Sequence, residues 1–354
     1  MKKGKIRTLA VIVFSAILMT GCSGSKVVQD ASETNEPVKP MIGITVDSFV
    51  VERWLRDSSV FVDEAENLGA DVIVQNANGS ADEQISQIQY FIKKKVDVIV
   101  IVAVDGDRLV NVVSSAKKAG IRVIAYDRLI RNADVDLYIS FDNEKVGTLM
   151  GEELVKSLPE GGNIFVIRGP QTDNNVEMVE SGFAAAIKGS GIHIVYSAYC
   201  EAWSSELAYT DVLAGLDICP DVAGIMCGND DLASRAFLAL SENRLAGSVV
   251  LVGQDADLSA CQRIVEGTQK MTVYKPVDEL ARKAAAYAIE LADGGSLASV
   301  DGSINDGTYD VPYKTIEPVA VTIENIDKVI IESGFHTREE VYLNVDQAAL
   351  HPTP

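Results

Sequence analysis

Asp127 and Arg128 put an acid and a base side by side where the apolar run Val123-Ile124-Ala125-Tyr126 stops. A guanidinium offers donors in a fixed fork and a carboxylate offers acceptors, so together they can hold neighbouring hydroxyls of one polyol. A surface ion pair at a strand end would read the same way. The pattern recurs along the chain. Asp142-Asn143 follows LYISF, Asp47 follows MIGITV, and Gln171 to Asn175 follows IFVIRGP. Asn229 follows GIMCG, Gln254-Asp255 follows VVLVG, and Lys275 ends MTVY. Each of these residues alone is ordinarily a helix cap or a turn former. Repeated on strand after strand, with Trp54 and Trp203 near expected helix starts on the same rim, they suit a carbohydrate. Hydroxyls need planar donor and acceptor pairs, and the C–H side of a ring needs a flat aromatic face in a concave site.

Catalytic chemistry has little to work with. The chain has three histidines, His193, His336 and His351, and none neighbours a plausible nucleophile. HExxH, GxSxG, Walker and GxGxxG patterns are absent. The Asp-rich loop at 301–310 lacks calcium-loop spacing, since its sixth position is Asp306 rather than glycine. Asp255 and Asp257 would serve a glycoside hydrolase only if placed at a set separation across a cleft. No enzyme, metal site or cofactor is expected.

The elements that must position these residues alternate from residue 41 onward. Strands are expected at 41–47, 71–77, 96–104, 123–126 and 137–141, with helices at 52–68, 81–95 and 107–118. Ile85, Ile88 and Ile92 line one helix face, and Gly69 and Gly120 supply helix stops. The alternation restarts after Asn143. Strands are expected at 163–168, 193–199, 222–227, 249–253 and 270–274, and helices at about 144–158, 175–189, 204–217, 231–244, 257–266 and 277–292. Segment 294–314 reads as loops with one short strand, 318–323 as a strand and 325–332 as a short helix. Such βαβ repetition predicts an α/β fold of two doubly wound parallel sheets covered on both faces. Ligand crevices in open α/β sheets lie beyond the carboxyl ends of the strands, which is where the polar residues fall.

Composition narrows the partners. Lys and Arg number 31 against 51 Asp and Glu, a formal net charge of −20. That excludes nucleic acid, whose phosphates need basic neutralisation, and argues against adhesion of the body to an anionic membrane. The N-terminus reads as an export signal: Lys2, Lys3, Lys5 and Arg7, then the apolar stretch 9–19, too short for a permanent span. Leu18-Met19-Thr20-Gly21-Cys22 reads as a lipobox, which makes Cys22 the acylated mature N-terminus and ends a 1–22 signal peptide. Residues 23–40 are polar and read as a disordered tether. The remainder is longer than one ordinary core serves, so two domains are expected. Cys200, Cys219, Cys227 and Cys261 form no CxxC pair and are expected as buried free thiols.

The runs VERW, IAYDRLI, YISFDNEKVG, DNN at 173–175, GQDADL and GTQKMTVYKP resemble the bacterial periplasmic D-xylose-binding proteins, type I sugar-binding subunits of ABC importers. The resemblance covers about residues 41–335. It implies two Rossmann-like lobes joined by a three-stranded hinge, with crossings near Asp142 to Lys145, near Lys275 to Asp278 and near Lys314. The N-terminal lobe would be 41–143 plus 277–313, and the C-terminal lobe 144–275 plus 315–343. It further implies sugar contacts from Arg53, Asp127, Arg128, Asp173, Asn175, Asn229, Asp255 and Lys275, with Trp54 and Trp203 stacking on the pyranose. The implied protein is a monomeric, non-catalytic, extracytoplasmic receptor. It would carry a monosaccharide, D-xylose first among candidates, to ABC permease subunits, and the lipobox would anchor it to the cell membrane. The alternative output is a sugar-sensing lipoprotein that signals to a membrane histidine kinase. A repressor would carry a helix-turn-helix where this chain has its signal segment. The sequence departs from the best-known members in its lipobox, its cysteines and Arg168-Gly169-Pro170.

Overall fold

The computed structural model describes residues 39–50, 53–297 and 299–345. The signal peptide 1–22, its acylation site Cys22 and all but the last residues of the tether 23–40 lie outside the described residues.

The chain runs β1 (Met41–Val46), α1 (Arg53–Asn67), β2 (Asp71–Asn76), α2 (Ala81–Lys94), β3 (Val98–Ile101), α3 (Val110–Lys118), β4 (Arg122–Tyr126) and β5 (Leu137–Phe141). It continues with α4 (Asn143–Ser157), β6 (Gly162–Arg168), α5 (Asn174–Ile187), β7 (Ile192–Tyr199), α6 (Ser205–Ile218), β8 (Gly224–Cys227), α7 (Asp230–Glu242), β9 (Val250–Gln254), α8 (Leu258–Val265) and β10 (Met271–Tyr274). Last come α9 (Val277–Ala292), β11 (Gly302–Asn305), β12 (Asp310–Ile316), β13 (Val319–Val321) and α10 (Arg338–Val341). Strands such as VIVI in β3 and LYISF in β5 bury every residue, as strands covered on both faces must.

Two sheets result, ordered β11-β12-β5-β4-β3-β1-β2 and β13-β10-β9-β8-β6-β7. The parallel cores β2-β1-β3-β4-β5 and β7-β6-β8-β9-β10 share one doubly wound order. Apolar clusters pack on both faces of each sheet. The chain passes from the first sheet to the second after β5, returns after β10, and passes again after β12. The third passage was expected near Lys314. Lys314, Thr315 and Ile316 still pair with Ile139, Ser140 and Phe141, and Ile316 is buried in the first core, so the passage falls between Ile316 and Val319. Segment 294–314 also holds more than the one expected strand: β11 and β12 form an antiparallel hairpin. Three of the four β11 residues are exposed, so its edge position left no buried pattern to read.

Helices α4 and α5 touch backbone to backbone. A Cβ built on Gly147 would lie 1.9 Å from the Val179 carbonyl oxygen, and one on Gly182 would lie 1.9 Å from that of Glu144. All four cysteines past the tether are buried and free. Burial pushes the Cys200 thiol up to about 12 and that of Cys227 further.

Candidate functional site

Strands β4 and β9 occupy equivalent places in the two sheets and end alike. Asp127 follows β4 and Asp255 follows β9, with φ of 64° and 98°. Each donates its backbone N–H to the neighbouring strand, to Ile139 O and to Val273 O, both at 2.8 Å. Aspartate tolerates this left-handed backbone better than most residues. The turn breaks the ladder there and turns each carboxylate toward the space between the lobes.

Arg53, first residue of α1, stands between them. Its Nη2 donates to Asp127 at 2.9 Å and to Asp57 at 3.1 Å, and its Nη1 lies 4.0 Å from Asp255. Burial works against its charge, but Asp127, Asp57 and Asp255 outweigh that and hold its pKa well above the ordinary guanidinium value. Burial likewise pushes the Asp127 carboxyl up, yet Arg53, Lys275 and Arg128 prevail and hold it below the usual range. Arg128 reaches the other way. Its Nη1 donates to Asp47 at 2.7 Å and to Ala103 O at 2.8 Å, while its Nε lies 2.7 Å from Asp173. Lys275 follows β10 directly and pairs with Asp255 at 2.7 Å.

The second lobe presents helix N-termini. Asp173 caps α5, accepting from Asn175 N at 3.0 Å, and Asn229 caps α7, accepting from Leu232 N at 2.9 Å. The cap and wall roles coincide, because a capping side chain sits where a βα turn faces the crevice. Asn175 donates to the Asp127 carboxylate at 2.9 Å. Asn174 accepts from Leu129 N at 2.9 Å. With Arg53–Asp255 and Arg128–Asp173, these bonds join the lobes across the cleft.

All ten residues that the resemblance implies as sugar contacts border one cavity of about 580 Å³, counting the part open to solvent. Asp47 does not; it anchors Arg128 and borders a neighbouring crevice. Trp54 is buried, and the Arg53 guanidinium lies over its ring at 4.2 Å, so that face already has a partner. Arg168, Glu180 and the apolar Val176, Val179 and Met226 also line the cavity and had no sequence signal, whereas Asn143 and Gln254 line it too. Asn143 and Gln254 carried the strand-end signal. Arg168 and Glu180 form an ion pair, with Arg168 4.7 Å over the Tyr199 ring, which no local pattern announces.

Six polar atoms of the cavity's lining residues are buried without a hydrogen bond among the described residues; Arg128 Nε, Arg168 Nε and Asp255 Oδ1 lie in ion pairs, which leaves Arg53 Nε, Trp54 Nε1 and Gln254 Oε1. Leaving such a group unmatched costs about 1–3 kcal/mol. Two donors and an acceptor thus wait around one space. Among the described residues no cluster of His, Cys, Asp or Glu could hold a metal ion.

The periplasmic binding protein domain matches residues 42–296 of the chain. The D-xylose-binding periplasmic protein of Haemophilus influenzae is 43% identical over 306 residues, covering 85% of this chain and 92% of that protein. The protein of the same description from Escherichia coli is 42% identical over 330 residues, 92% of this chain and 98% of its own length. Among solved structures, an ABC transporter solute-binding protein from Clostridium phytofermentans with bound β-D-glucose superposes with a TM-score of 0.79 at 28% identity, over 85% of this chain and 99% of that one.

Proposed function

The chain belongs to the periplasmic binding protein family, and on that premise we propose that it is an extracytoplasmic receptor for a monosaccharide, D-xylose first, that delivers its sugar to an ABC transporter permease. The site chemistry agrees with a neutral polyol. The observation that carries the reading is the unmatched Arg53, Trp54 and Gln254 atoms, set among paired charges that converge from both lobes on one cavity. Hydroxyls act as donors and acceptors at once, so one sugar can satisfy all three.

In this reading Arg53, Asp127, Arg128, Asp173, Asn175, Asn229, Asp255 and Lys275 bond hydroxyls, and Trp203 offers a ring face. Trp54 gives its N–H rather than a free ring. A sugar in the cleft adds bridges beside those between Arg128 and Asp173 and between Asp127 and Asn175. It therefore favours the joined lobes by its differential affinity for them. The lobes are 41–143 with α9 to β12, and 144–275 with β13 onward. We further propose that Cys22 carries the lipid that tethers the receptor to the membrane.

A thermal-shift screen against pentoses and hexoses tests the function. A ligand at 1,000 times its Kd adds about 4 kcal/mol by mass action. D-xylose should raise the melting temperature most. A panel in which no monosaccharide shifts it would end the reading.

A further inference from the structure

Trp203 borders the cavity and also the crevices on either side of it, and it is the one described residue common to all three. What holds it there is a gap in the wall. A Cβ built on Gly169 would lie 2.3 Å from Trp203 Cη2 and Cζ2. One built on Gly228 would lie 3.3 Å from Trp203 Cζ3 and 2.9 Å from Gly169 N. Neither glycine has a positive φ, so backbone freedom does not explain them; the missing side chains do. The indole Nε1 donates to Asp173 at 3.2 Å, and Asp173 is also the carboxylate that Arg128 reaches from the other lobe. Behind the ring, Ala202 and Trp203 both adopt left-handed backbone, φ 53° and 56°, a conformation that fixes where the side chain departs.

We propose that Gly169 and Gly228 form a slot that seats Trp203, and that Trp203 so seated is the partition that limits the cavity to a single sugar ring. The inference rests on the sugar-receptor reading and names its size filter: free monosaccharides fit, and glycosidically extended sugars must displace the indole. The crevices beyond the ring are larger, about 1020 and 1040 Å³ by the measure that gives 580 Å³ for the cavity. A methyl on Gly169 cannot coexist with the ring at 2.3 Å, so the ring leaves its seat.

The chain has two tryptophans, so protein labelled with 5-fluorotryptophan gives two fluorine resonances, assigned with Trp54→Phe. In Gly169→Ala the Trp203 resonance should move and that of Trp54 stay, and xylose affinity by calorimetry should fall at least tenfold. Gly228→Ala, a milder intrusion, should move the same resonance less. Trp203→Ala should lower the xylose-to-xylobiose affinity ratio at least tenfold. A Trp203 resonance unmoved in Gly169→Ala and Gly228→Ala, or a ratio unchanged in Trp203→Ala, overturns the proposal. If the unaltered protein binds no sugar, the receptor reading fails by itself. The unliganded fluorine spectrum then still decides the slot: a moved Trp203 resonance upholds it, an unmoved one ends it.

Discussion

Asp127 meets partners from both lobes at the cavity wall. Its left-handed backbone turns the carboxylate into the cleft, where it meets Arg53 from its own lobe and Asn175 from the other. Its carbonyl is held by Ser140 Oγ at 2.7 Å and Tyr138 OH at 3.1 Å, so the turn cannot relax without breaking β5 contacts. Replacing it with alanine leaves the buried Arg53 with one of its two carboxylate hydrogen bonds and removes an acceptor from the wall. Asp127→Ala should weaken xylose binding by about 1.5–3 kcal/mol, roughly ten- to hundredfold, in isothermal calorimetry. Unchanged affinity would show that the cavity wall is not the sugar site. Asp127 and Arg128 stood out in the sequence because a charged pair after VIAY is unusual at a buried strand's end. Arg168 did not, since a lone arginine after IFVI gives no sign that Glu180 and Tyr199 will fold against it.

At the scale of elements, the β11–β12 hairpin does what its sequence did not advertise. Asp306, in its turn, accepts four backbone N–H bonds: Ala133 and Asp134 at 2.8 and 2.9 Å on one oxygen, Thr308 and Tyr309 at 2.9 and 2.8 Å on the other. It pins the hairpin to the loop that follows Arg128. Burial pushes its carboxyl up, but those backbone donors prevail and hold it below the ordinary range. A carboxyl with a lowered folded pKa adds stability that is complete above the unfolded value, near 3.9, and is lost as the pH falls through the folded value. Asp306→Asn should therefore melt below the unaltered protein at pH 5–7, and the gap should narrow as the pH drops toward 3. Calorimetric melts that coincide across that range would refute the staple. In the sequence, 301–310 reads as loop with one short strand and lacks calcium-loop spacing. Asp306 is buried with partners more than 170 residues away, and no local window holds that contact.

For the whole molecule, the parallel cores of the two sheets share one winding order, and residues that follow strands of both line one cavity. A net charge of −20 disfavours adhesion of the body to an anionic membrane surface. If Cys22 is the anchor, Cys22→Ala should move the protein from the membrane fraction to the soluble one and abolish labelling by radioactive palmitate. Retention of both would assign membrane attachment to another feature. One acyl chain binds membranes only marginally, so a stable anchor at Cys22 requires a second chain.

The sequence by itself determined the α/β alternation, the buried strands and the polar residues at their ends. These depend on local apolar runs, caps and turn formers that act within a few residues. Only the tertiary structure decided which of those ends meet. Arg53 lies 74 residues from Asp127 and in a different lobe from Asp255, yet it stands within ion-pair reach of both. The glycine slot under Trp203 joins positions from three separate turns in the same way. Such meetings are set by the order of strands in two sheets and by the closeness of two lobes, properties that belong to no stretch of chain alone.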